Sequence, residues 1–140
     1  MPITKENVII QFSDVPNQRT GNVYPLEILE QIAAKGVKAR MGELRTGKPG
    51  DVAETQNLAG LGVINIANAS HQVSDLRVVD GALVGTVTTL ETTKGEELEK
   101  LLNDPEKEVT FALRGFGDMT PERQITMFEM VTVDAVDVSA

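Results

Sequence analysis

The sequence predicts one β-rich α+β domain: about six to seven strands curled into a small closed or nearly closed β-barrel, with two packed helices. Three observations carry that expectation. Apolar residues recur mostly at the two-residue period of strands, two short stretches switch to helical spacing, and an Asp-Gly pair separates two β-branched runs. With 140 residues, 41% of them hydrophobic, residues 1–140 are expected to fold as a single domain around one core.

The elements follow in order. Val8-Ile9-Ile10-Gln11-Phe12 is a short apolar run that stops at a Ser-Asp-Val-Pro-Asn turn, so it reads as a strand. Tyr24-Pro25 opens a helix, because a proline at a helix start gives up no hydrogen bond. Leu26, Ile28, Leu29, Ile32 and Ala33 give that helix one apolar stripe, and Gly36 is its natural stop. Residues 37–44 read as a strand and 45–57 as a loop rich in breakers. From 61 to 90 the pattern is strand-like. Asp80-Gly81 predicts a type I′ hairpin, whose central residues both need positive φ. Thr93 and Glu96 have the spacing of a capping box, and Leu98, Leu101 and Leu102 form the inner face of the second helix. Residues 109–113 read as a strand ending in a glycine turn, and 124–138 as a long closing strand.

Composition narrows the function classes. A net charge of −8 opposes phosphate-led nucleic-acid binding, and aromatics at 4% with no Trp offer no stacking platform. There is no Cys for disulfides or thiolate metal sites, and no apolar run of membrane-spanning length. The expected product is soluble and made in a cytoplasm, with no membrane partner.

His71 is the only histidine. Ser70 precedes it, but neighbours on a regular strand point to opposite faces, so the two are not expected to act as a nucleophile–base pair. One His with Asp134 and Asp137 has no metal-loop spacing, so neither metal nor cofactor is expected. Gly115 and Gly117 fail the dinucleotide fingerprint because Thr120 stands at its third glycine; a tight turn is the simpler reading.

Several stretches over residues 20–118 together resemble the prohead (capsid-maturation) protease family of tailed phages, related in fold to the herpesvirus assembly proteases. Gly21-Asn22-Val23-Tyr24-Pro25 resembles the family's helix start, and Gly42-Glu43-Leu44 its G-E-L-x-H-P segment. Ser70-His71, Asp80-Gly81 and Gly85 resemble its central hairpin. Phe111-Ala112-Leu113-Arg114-Gly115-Phe116-Gly117 resembles its nucleophile strand.

What the resemblance implies is a herpesvirus-assemblin-like barrel, with catalytic positions at 112, 46 and 71. Ala112 stands where the family has its nucleophilic Ser, and Thr46 where it has a catalytic His; only His71 matches. Arg114, Gly115 and Gly117 are then expected to hold a structural turn after the nucleophile strand. A methyl group cannot attack a carbonyl, and losing a triad nucleophile costs about 10⁶ in turnover in other hydrolases.

The expectation from sequence is therefore a pseudoprotease that is no enzyme: a virion protein of the phage head, acting as a capsid decoration or minor head protein and assembled in the host cytoplasm. Its expected partners are the major capsid protein or other head proteins, with a homo-oligomer compatible and no nucleic acid. The alternative is a prohead maturation serine protease, whose active form carries Ser at position 112.

Overall fold

The computed structural model describes residues 2–17, 20–35, 40–45 and 66–138. In chain order these form β1 (Thr4–Phe12), α1 (Leu26–Ala34), β2 (Arg40–Arg45), a single 3-10 turn (Ile66–Asn68), β3 (Ala69–Val79), β4 (Ala82–Thr89), α2 (Thr93–Asn103), β5 (Val109–Met119) and β6 (Ile125–Asp137). The six strands make one sheet in the order β1-β4-β3-β2-β6-β5. Every pairing is antiparallel except β2 with β6.

The sheet is a half-barrel, which corrects the expected closed or nearly closed barrel. β1 and β5 end the strand order and share no ladder, so the ring stays open. The parallel seam is also short, with only Leu44 against Ala135 and Arg45 against Val136 in register. Val23 bridges toward the β5–β6 turn: its N–H donates to Arg123 and its carbonyl accepts from Ile125, at 2.9 and 2.8 Å.

Curvature comes from bulges. Asn7 on β1 and Asp75 on β3 take φ of 56° and 55°, and the register of each strand against β4 slips there. Arg77 ties the two together, donating to the Asp75 carbonyl and carboxylate at 2.9 and 2.8 Å and to the Asn7 side-chain oxygen.

Local signals place the helices. Pro25 caps α1, and Ile28, Leu29 and Ile32 turn into the core. Tyr24 packs edge-on to Phe128 at 5.5 Å in the same core. The cap of α2 is Thr92, one residue before the expected box. Its hydroxyl accepts from the Gly95 N–H at 2.9 Å and donates to the Ala69 carbonyl at 2.7 Å. Gly95 is required there, since a β-carbon would lie 1.9 Å from the Leu90 carbonyl oxygen. The hairpin at Asp80-Gly81 has the expected positive φ at both residues, 49° and 77°.

The expected turn at Arg114, Gly115 and Gly117 is replaced by strand. β5 runs on to Met119, with Gly115 opposite Met130 and Gly117 opposite Phe128, and the chain reverses only at residues 120–124. The glycines serve close strand approach instead: a β-carbon on Gly115 would sit 2.1 Å from the Glu129 carbonyl oxygen.

Candidate functional site

His71 lies on β3 directly opposite Gly42 of β2. Its Nε2 is 2.8 Å from the Val133 carbonyl on β6, so the imidazole crosses the whole of β2. Gly42 makes room for it, because a β-carbon there would lie 2.4 Å from Nε2 and 2.1 Å from the Val133 oxygen. The ring also meets Phe111 edge-on at 5.5 Å.

Ser70 Oγ is 2.7 Å from His71 Nδ1, which overturns the expectation that the two point apart. The cause is a bulge: Gly42 pairs with His71 while Glu43 pairs with Ala69, leaving Ser70 as the extra residue. Alternation fails at such a point, and both side chains fall to one side. Since a carbonyl only accepts, Nε2 carries the ring proton and donates to Val133. Nδ1 then accepts from the Ser70 hydroxyl. Burial pushes the imidazole down to about 4, against a smaller upward pull from the Val133 carbonyl. The ring is therefore neutral at pH 7. The chain hydroxyl–imidazole–carbonyl has the polarity of a nucleophile, base and orienting group, but Ser70 and His71 are both 0% exposed. A reacting carbonyl would need to come within about 3 Å of that oxygen, so in this conformation the chain is a structural link across three strands.

Sequence reasoning missed a buried charge cluster on the other face of the sheet. Glu43 accepts from Arg114 at 2.8 Å and from the Asn68 amide at 3.3 Å. Asp134 accepts from the Glu43 N–H and from Arg45 Nε, each at 3.1 Å, and lies 3.2 Å from Arg114 Nε as an ion pair. Two carboxylates thus face two guanidiniums contributed by β2, β5 and β6. Burial pushes the Asp134 carboxyl up, opposed by Arg114, Arg45 and the Glu43 N–H. The available signal was charge at inward positions of otherwise apolar strands, as in Val133-Asp134-Ala135-Val136.

Ala112 sits opposite Asp134 in the β5–β6 ladder, on the face that Asp134 and Arg114 share. His71 packs on Phe111, and alternation along β5 puts Phe111 and Ala112 on opposite faces. Thr46 lies outside the described residues. The structure thus brings Ala112 to the ion cluster and leaves His71 on the other side of the sheet.

No protein-family model and no curated protein matches this sequence. Among solved structures, the capsid assembly protease of bacteriophage T4, gp21, is similar over 96% of this chain and 80% of its own, with a TM-score of 0.67 and 20% identity. The chain has the capsid-protease fold. That match overturns the expectation that the chain is no enzyme: the protein sharing its fold is a protease, and nothing among the described residues shows catalysis to be absent. No helix among the described residues is long and apolar enough to cross a membrane.

Proposed function

We propose that this chain is a tailed-phage head protein. It binds the major capsid protein or another head protein during assembly, and it remains in the head as a minor or decorating component. The observation that carries the reading is the match to a capsid assembly protease across nearly the whole chain. A net charge of −8 is in keeping with a protein partner rather than packaged DNA. Mass spectrometry of purified heads tests the proposal; absence of the chain from both immature and mature heads would sink it.

A second reading is that the chain is a maturation serine protease cleaving head proteins, supported by the same fold match. With Ala at position 112, cleavage by the chain as it stands requires another nucleophile. Incubation with head precursor proteins distinguishes the cases. Cleavage by the unaltered chain supports protease action through a different side chain. Cleavage appearing only in Ala112→Ser identifies position 112 as the nucleophile site, and none in either counts against this reading.

A further inference from the structure

A cleft of about 400 Å³ opens between α2 and the carboxyl ends of β2 and β6. Leu44 and Leu101 give it apolar lining, and Arg45, Lys94, Lys100 and Lys107 give it cations. That is four of the 13 lysines and arginines of a chain whose net charge is −8. The position is also distinctive, because β2 and β6 are the parallel pair at which the sheet passes from the β1-β4-β3-β2 set to the β6-β5 hairpin.

The cations are not equally engaged. Arg45 is held by Asp134, and Lys94 by Glu97 at 3.1 Å. Three carboxylates line the cleft as well, Glu97, Asp104 and Asp137, and Asp104 accepts the Glu106 N–H at 2.9 Å. Lys100 and Lys107 are exposed, and no side-chain hydrogen bond or ion pair engages either ammonium group among the described residues. Two uncommitted ammonium groups beside a leucine-lined hollow suit an apolar side chain flanked by carboxylates.

We propose that this cleft binds a short acidic peptide segment of a head protein, seating an apolar side chain against Leu44 and Leu101 and pairing carboxylates with Lys100 and Lys107. The inference rests on the head-protein reading and names the chemistry of the contact. Hydration and, for Lys100, the negative end of α2 would explain the lysines if the cleft were idle. That alternative predicts no preference for carboxylates.

The test uses the full chain, labelled for amide NMR, with synthetic octapeptides that place a leucine between two glutamates, and the same peptides with glutamine in their place. The glutamate peptide should move the Leu44, Lys100 and Leu101 amides and bind about tenfold tighter than the glutamine peptide at low salt. Raising the salt should narrow that gap. Lys100→Gln with Lys107→Gln should abolish it while leaving the unfolding midpoint in place. Equal binding of the two peptides, shifts elsewhere, or no binding at millimolar concentration overturns the proposal. Concentration-dependent shifts of these amides without peptide would assign the cleft to a second copy of the chain and overturn it too. Co-sedimentation with heads is scored separately. A chain that sediments with heads but ignores the peptides loses only the cleft, and one that binds the peptides but is absent from heads loses only the head-protein reading.

Discussion

Gly42 and His71 face each other across the β2–β3 ladder, and the missing side chain of one is the passage for the other. The imidazole fills the gap where β2 and β6 are not in register and supplies Val133 with the donor that a continuous ladder would have given. Gly42→Ala should therefore displace the ring, strand a buried carbonyl and crowd the backbone. The expected loss is about 3 kcal/mol or more in urea unfolding. A loss under about 1 kcal/mol would mean that the two strands part without cost.

The same histidine predicts a pH dependence. Its ordinary pKa of 6.5 is lowered to about 4 in the folded chain. Between those values the unfolded imidazole holds a proton that the folded one does not. Stability fully present above pH 6.5 is thus lost as the pH falls toward 4, by about 3 kcal/mol in total. Asp134 works in the opposite sense, because burial raises its carboxyl above 3.8 and its contribution fades as the pH rises. Comparison with His71→Gln isolates the histidine: the variant should lose the acid-side decline that wild type shows. Since the chain has one histidine, its ring resonances in NMR should titrate near 4; a midpoint near 6.5 would refute the buried neutral ring.

Capping of α2 separates two neighbouring threonines. Thr92 accepts from Gly95 and donates to Ala69, so it fixes both the helix start and the helix against β3. Thr92→Ala should cost about 1–2 kcal/mol, and Thr93→Ala less than about 0.5 kcal/mol. The reverse order in thermal unfolding would restore the capping box centred on Thr93.

What was legible in the sequence was local. Asp80-Gly81 could be read because positive φ at two successive positions demands a particular residue pair, and the α1 stripe because burial repeats at helical spacing. Bulges were not legible, since a register slip is decided by the partner strand. Ser70 could not be seen beside His71 until Glu43 was found opposite Ala69. Gly115 and Gly117 looked like a turn for the same reason: the close approach of Glu129 and Met127 carbonyls that excludes a side chain belongs to β6. The ion cluster draws on β2, β5 and β6, residues up to 91 positions apart, and no spacing in the sequence links them.

That cluster gives a further large single-residue effect. Asp134 is the shared anion of Arg45 and Arg114, and it also receives the Glu43 N–H. Asp134→Asn removes the negative charge that the two buried guanidiniums share. Breaking a buried pair from one side costs about 3–5 kcal/mol, and burial of Asp134, which favours its uncharged form, places the expected loss at the lower end of that range. Asp134→Asn combined with Arg45→Met restores neutrality around Glu43 and Arg114. The double variant should therefore be more stable than the sum of the two single losses implies, with a coupling of about 1 kcal/mol or more in a urea-unfolding cycle. Strict additivity would mean that Arg45 and Asp134 are held apart in solution.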